Sequence, residues 1–117
     1  EHAEVRVAAI SALGDQIQSL QDLEAKELLV SALKDVNQEV RAEAATLLGK
    51  LQDPEEATPL LCSSLEDTCP QVRKNAALSL MKLEAEDALE ALNQALKLEQ
   101  NNDVKAVFAV AINQIDR

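Results

Sequence analysis

Apolar side chains recur along the chain in blocks that each begin with a valine followed by a basic residue. Within each block, further apolar residues stand four and eight positions after the valine. At 100° per residue, these three positions share one face of a helix. Each block therefore predicts a helix with one core-facing stripe. The blocks begin at Val5-Arg6, Val40-Arg41, Val72-Arg73 and Val104-Lys105, at intervals of 35, 32 and 32 residues.

A second apolar pattern lies between the blocks. Leu28, Leu60 and Leu92 occupy one column of this half-repeat. An interval of 32 residues accommodates two helices of about 12 residues with short turns. Each repeat is thus predicted to be an A helix followed by a B helix that carries the valine block. We expect B helices near 4–14, 38–51, 70–83 and 102–115, and A helices near 22–34, 54–66 and 86–99.

Residues that begin and end helices fall between these elements. Asp53-Pro54 is typical of an N-cap and a first helical position. Gly14 and Gly49 stand at the ends of B helices, where we expect left-handed terminators. The longer first interval predicts three additional loop residues within 15–22. The N-cap column of the B helices contains His2, Asn37, Cys69 and Asn101, and Pro70 follows Cys69.

The composition favours an all-α fold. Among 117 residues, 47% are hydrophobic, yet Phe108 is the only aromatic residue. A core of Ala, Leu, Val and Ile lets helices approach closely, whereas sheets favour β-branched and aromatic side chains. Two Gly and three Pro are few for the many turns of a β protein. We expect one domain over 1–117.

The charge of the chain limits its partners. The net charge is −10, from 21 acidic and 11 basic residues, which argues against nucleic acid and against anionic membranes. No apolar run reaches the roughly 18 residues of a membrane span. No signal peptide is visible and the chain begins at Glu1 rather than Met, so we expect a piece of a longer protein. Two cysteines, Cys62 and Cys69, indicate free thiols and a cytoplasmic location.

The stretch from Val40 to Leu51, continued by Asp53-Pro54, closely resembles HEAT-like repeats of the phycobilisome-lyase type. The shared marks are Val-Arg at the start of the B helix, Ala-Ala and then Leu-Gly within it, and Pro59 inside the A helix. The resemblance covers essentially the whole chain and implies a right-handed α-α superhelix of about three and a half helix pairs. The fourth repeat departs most, with Phe108 in an alanine column and Asn113 where glycine belongs. Such repeats occur in bilin-lyase subunits, in a di-iron hydroxylase and in bacterial scaffolds.

A carboxylate also recurs six residues before the basic residue of each later block. A planar guanidinium binds a carboxylate through two hydrogen bonds, so a pair in every repeat predicts a ladder between neighbouring repeats. An anion-binding site is the alternative interpretation. The recurring pairs are Asp35 with Arg41, Asp67 with Arg73, and Glu99 with Lys105.

Catalytic chemistry is hard to build from these residues. The di-iron hydroxylase that resembles this fold uses several His-Glu pairs, whereas His2 is the only histidine here, so that activity is excluded. Cys69 at a helix N-terminus is a candidate thiolate, but no histidine stands nearby in the sequence, and Glu66 and Asp67 oppose the charge. No Gly-rich phosphate loop is present. We expect a protein that is not an enzyme, with no catalytic residue, metal or cofactor.

The predicted binding surface is the side of the B helices turned away from the core stripe, which we call the concave strip. In solenoids of this kind the B helices line the concave, ligand-binding side. A plain solvated face is the alternative. Three lysines at the centre predict an acidic segment of another protein as the partner, and neighbouring repeats or domains of the longer protein are also expected partners. The resulting function is an interaction scaffold, with an accessory part of a bilin lyase as the alternative. The expected partner-binding residues are Glu43, Thr46, Lys50, Lys74, Asn75, Leu78, Lys82, Val107 and Val110.

Overall fold

The computed structural model describes residues 2–14, 23–50 and 54–116, and within them it contains seven α-helices and no strand. The predicted loop within 15–22 and the predicted N-cap Asp53 lie outside the described residues. The three A helices and four B helices are confirmed, although the helix predicted to begin at residue 86 opens with a 3₁₀ turn, Glu86–Ala88. The helices are α1 (Ala3–Gly14), α2 (Leu23–Leu33), α3 (Gln38–Leu48), α4 (Pro54–Ser64), α5 (Pro70–Lys82), α6 (Leu89–Leu98) and α7 (Asn102–Ile115).

The helices form two layers of an α-solenoid. The B helices α1, α3, α5 and α7 stack side by side, each against the next. The A helices α2, α4 and α6 lie against α3, α5 and α7 of their own repeats. Each helix has an apolar face that only a neighbour can cover, so stacking creates one continuous core.

The predicted core stripe is buried in the middle of the solenoid and open at its first helix. Val40 and Val72 are 1% and 0% exposed, and the alanine column is fully buried at Ala44 and Ala76. Val5 begins the first block, and it is 56% exposed. Its neighbour in the stripe, Ala9, is exposed as well. The prediction is wrong for α1. In the later repeats the A helix of the same repeat covers this stripe, whereas no described helix covers that side of α1.

Local hydrogen bonds explain where the B helices begin. The side-chain oxygen of Asn37 accepts from the backbone N–H groups of Glu39 and Val40. Asn101 makes the equivalent bonds at the start of α7. Cys69 has no such bond, and Pro70 at the first position of α5 lacks an N–H group that would need one. The predicted N-cap column is therefore confirmed for both asparagines.

The ends of the B helices differ from the prediction. Gly49 is right-handed, with φ −72°, so a left-handed conformation is not the reason for its glycine. A Cβ atom at Gly49 would lie 2.8 Å from the Cα of Ser79, which shows that close approach of α5 excludes a side chain. Among the residues that the structure describes, the left-handed one is Glu84, with φ 51°. The backbone N–H of Ala85 donates to the carbonyl of Leu80, and the N–H of Glu84 donates to the carbonyl of Met81. This pair of bonds is a Schellman motif.

Candidate functional site

Ion pairs between successive repeats form the ladder that the sequence predicted. Each arginine donates two hydrogen bonds from one edge of its guanidinium to both oxygens of one carboxylate. The carboxylate belongs to the A–B turn of the following repeat. These pairs confirm a ladder between neighbouring repeats, but the predicted partners are wrong, because each arginine binds the carboxylate of the following repeat and not the one six residues before it. The pairs are Arg6–Asp35, Arg41–Asp67 and Arg73–Glu99, with closest N–O distances of 2.7, 2.9 and 2.7 Å.

The six-residue spacing within a repeat has a different structural basis. Arg73 Nη1 donates to the backbone carbonyl of Asp67 at 2.8 Å, while the carboxylate of Asp67 binds Arg41. The same carboxylate accepts the backbone N–H of Cys69 at 2.9 Å. Each carboxylate thereby orders the turn before a B helix and holds the preceding repeat. Since Nε, Nη1 and Nη2 of the Arg73 guanidinium each donate to a protein oxygen, the geometry favours the structural interpretation over an anion site.

Electrostatics keep the ladder charged. The hydrogen bond from Arg73 lowers the pKa of Glu99, against the opposing effect of burial. The hydrogen bond from Arg6 lowers the pKa of Asp35, and the backbone N–H of Asn37 adds to the effect. The Glu99 side chain is only 4% exposed. A carboxylate this buried requires its partner, because an unpaired buried charge is strongly unfavourable.

The concave strip is less uniform than the sequence predicted. Lys50, Lys82 and Val110 are exposed, whereas the other strip residues are half-buried. They are half-buried because the B helices stack side by side, so part of the strip lies at the seams between them. The half-buried members are Glu43, Thr46, Lys74, Asn75, Leu78 and Val107.

Two strip residues connect B helices to each other. Glu43 accepts a 2.6 Å hydrogen bond from the hydroxyl of Ser11 on α1. Asn75 donates its side-chain N–H to the carbonyl of Ala42 on α3, at 3.1 Å. The structure therefore places both of them at seams, and the free part of the strip is formed mainly by lysines and apolar side chains.

The strip lysines have no ion pair with any described carboxylate. Lys74 nevertheless lines a small cleft together with Asp103. Lys82 lines a cleft of about 680 Å³ with Glu84 and Glu86. The positive charge is thus uncompensated by direct contacts, but carboxylates stand close to it.

The sequence analysis missed a buried polar contact at the seam between α3 and α5. The hydroxyl of Ser79, which is 3% exposed, donates to the carbonyl of Ala45 at 2.6 Å. The absence of a side chain at Gly49 permits this approach. The only signal in the sequence is a serine in a column that is apolar in the other B helices, together with a glycine directly after the preceding B helix.

A second missed feature is a cleft of about 630 Å³ on the edge formed by the A–B turns. Its apolar part includes Leu65 and Leu98, and Leu98 is 80% exposed. The ion pair of Arg73 with Glu99 forms part of its wall. The ladder is therefore partly accessible from this edge.

Other chemistry is sparse in the described part of the chain. No group of three or more His, Cys, Asp or Glu side chains there could hold a metal ion. Both cysteines are free, and burial raises the pKa of the Cys62 thiol, which disfavours its thiolate. None of the described helices has the length and apolar character needed to cross a bilayer.

Comparison with known proteins agrees with this architecture. The family model for HEAT repeats matches residues 1–62 and 27–113. The chain is also 45% identical over 115 residues to a protein named bilin biosynthesis protein MpeU, from Synechococcus sp. (strain WH8020). That match covers 98% of this chain but 39% of the relative's length. The resemblance to repeats of the phycobilisome-lyase type is confirmed. With a family model matching nearly its whole length, the chain belongs to the HEAT-repeat family.

Proposed function

We propose that this chain is a non-catalytic scaffold in the cytoplasm that holds another protein on the side lined by its B helices. The observation that carries the proposal is the ladder, which joins every described repeat to the next through a bidentate ion pair. A surface built across several repeats must keep its shape to be recognised, and such links limit movement between repeats. The regular polar pattern of the chain therefore supports rigidity rather than a reaction.

The concave strip offers the contacts for an acidic polypeptide segment. Lys50 and Lys82 are both exposed; Lys82 is the last residue of α5, whereas Lys50 lies two residues after the end of α3, although the sequence predicts a B helix over 38–51. Lys74 is half-buried and lines its cleft together with Pro70 and Asp103. Leu78 adds a half-buried apolar contact beside them. Because Lys50 and Lys82 are solvent-exposed, the attraction should weaken as the salt concentration rises. The nearby carboxylates of Asp103, Glu84 and Glu86 reduce the local positive field.

A charge reversal tests this proposal. The probe is a fluorescein-labelled peptide of glutamates with interspersed leucines, and binding is followed by fluorescence anisotropy at low and at high salt. We expect the double variant Lys74→Glu, Lys82→Glu to bind at least about tenfold more weakly at low salt, since tenfold corresponds to roughly 1.4 kcal/mol.

The matched control reverses two exposed lysines outside the strip, Lys34→Glu and Lys97→Glu. This control has the same net charge as the test variant and should retain most of the affinity. Equal losses in the two variants would indicate an effect of overall charge. Unchanged affinity in a folded test variant would place the binding surface elsewhere.

The second candidate function is an accessory role in bilin handling. The identity to a protein named for bilin biosynthesis favours it. The measurement is the visible absorption of a phycobilin after gel filtration with the chain. Chromophore that co-elutes with the chain would support this role, and its complete separation would leave the chain as a scaffold for protein partners.

A further inference from the structure

We propose that the cleft between the turn after α4 and the turn after α6 binds a segment of a partner protein that carries an apolar side chain beside a lysine or arginine. We call this site the turn-edge cleft. It lies on the edge of the solenoid that carries the ladder, and none of its walls belongs to the concave strip. The residues that line it include Leu65, Glu66, Ala95, Leu98, Gln100 and Asn101.

Leu98 is an apolar residue in a column that the fold leaves open to solvent. Lys34, Glu66 and Leu98 each stand one position before a ladder carboxylate, and all three are exposed. Lys34 and Glu66 remain exposed although a following repeat packs against theirs, so this column faces solvent inside the solenoid as well. With 80% of its surface exposed, Leu98 contributes little to the core, whereas its burial against a partner would be favourable.

The same edge carries the most exposed large apolar side chains of the described part of the chain. Leu98 is one of them, and the other is Val36, which is 93% exposed in the turn before α3. Single exposed apolar residues are common, but Leu98 is not isolated, because Leu65 and Ala95 line the cleft beside it. Since Leu65 is only 3% exposed and Ala95 is half-buried, they form a fixed wall for an incoming side chain.

The size and the polar groups of the cleft suit a polypeptide segment. Its volume of about 630 Å³ lies within the range of roughly 300–1,000 Å³ that is typical of ligand clefts. Gln100 is exposed at its rim. The side-chain carbonyl of Asn101 caps α7, which leaves its NH₂ group to donate to a partner's backbone. The cleft thus combines an apolar wall with groups that can bind a peptide unit.

The charges around the cleft favour a basic partner. Asp67 and Glu99 line it, but each is neutralised by an arginine of the ladder. Glu66 also lines it, is exposed, and makes no ion pair within the described part of the chain. One carboxylate therefore remains uncompensated beside the apolar wall, and the net charge of −10 adds a general attraction for cations. An acidic segment, the partner proposed for the concave strip, would be repelled here.

A change at Leu98 that preserves the charge tests the apolar contact. The probe is a fluorescein-labelled peptide of lysines with interspersed leucines, and its binding to the chain is followed by fluorescence anisotropy. Leu98→Gln should weaken binding by at least about tenfold, the factor expected when the burial of one leucine is lost. The matched control is Leu28→Gln, at a 51% exposed leucine of α2, which should keep the affinity within about twofold. Thermal melts of both variants should match the parent chain, because both side chains are exposed.

A second pair of variants tests the charge. Glu66→Gln and Glu90→Gln each remove one exposed carboxylate, so they have the same net charge. Only Glu66→Gln should weaken binding of the lysine–leucine peptide, by about threefold at low salt and less at high salt, as expected for an exposed ion pair.

Three results would overturn the proposal. Equal affinities of Leu98→Gln and the parent chain, or equal losses in Leu98→Gln and Leu28→Gln, would show that the peptide does not use the cleft. A glutamate–leucine peptide that Leu98→Gln weakens just as strongly would contradict the choice of a basic segment. A second copy as the occupant would appear as concentration-dependent dimerisation in ultracentrifugation, abolished by Leu98→Gln. The test of the concave strip uses Lys74 and Lys82 and is independent of these outcomes.

Discussion

The central and first B helices share a sequence pattern but differ in what covers them. Val72 and Val5 both begin a Val-Arg block, yet Val72 is fully buried and Val5 is 56% exposed. The same contrast holds one turn later, where Ala76 is fully buried and Ala9 is exposed. In a solenoid, the burial of a column is therefore a property of the neighbouring helices, and equal sequence does not imply equal contribution to stability.

The largest expected effect concerns the ladder. Arg73→Ala leaves the 4% exposed carboxylate of Glu99 without its partner and should lower the free energy of unfolding by about 3 kcal/mol. Arg6→Ala should cost less, because its partner Asp35 is more exposed, at 14%. Urea denaturation of both variants measures the difference. If Arg6→Ala were the more damaging of the two, this comparison of centre and first helix would be wrong.

A smaller effect is expected in the alanine column. Ala76→Leu inserts a larger side chain into the filled core between α5 and the A helix of its repeat and should cost roughly 1–3 kcal/mol. Its matched control, Ala9→Leu, makes the same change at an exposed site and should stay within about 0.5 kcal/mol. Denaturation midpoints check both. Equal midpoints for the two variants would contradict the assignment of Ala76 to the core.

The smallest effect concerns acid. The folded state holds the pKa of Glu99 below its ordinary value of 4.5, so the folded protein binds this proton less tightly than the unfolded chain does. The resulting stabilisation is present above pH 4.5 and is lost as the pH falls through the lowered value.

Glu99→Gln should consequently flatten the acid dependence of the free energy of unfolding below about pH 4.5, because it removes this titrating group. The control is Glu90→Gln, at an exposed position of α6, which should leave the dependence nearly unchanged. Melting curves between pH 3 and pH 7 measure both. Parallel curves for Glu99→Gln and the parent chain would show that the ladder does not titrate as described.

Much of the candidate site was predictable, but not how each residue is used. The recurrence of one carboxylate and one arginine in each repeat predicted a ladder, because such groups pair, but it did not predict that each arginine binds the carboxylate of the following repeat. The roles of Glu43 and Asn75 were not predictable, since both occupy strip columns that helical periodicity assigns to solvent. Their hydrogen bonds to α1 and α3 depend on how neighbouring B helices align. Their contribution to partner binding remains a prediction.

The positions of the helices and their N-caps could be predicted from the sequence, because they depend on interactions within a few residues. Helical periodicity placed all seven helices of the described part of the chain, and local hydrogen bonds explain why Asn37 and Asn101 precede α3 and α7. Other features depend on residues about 30 positions away. Gly49 is required by the approach of Ser79 rather than by its own backbone conformation, and the exposure of Val5 reflects the lack of a described covering helix. Side-chain spacing along one helix is a local quantity, whereas the distance between two helices is set by everything packed between and around them.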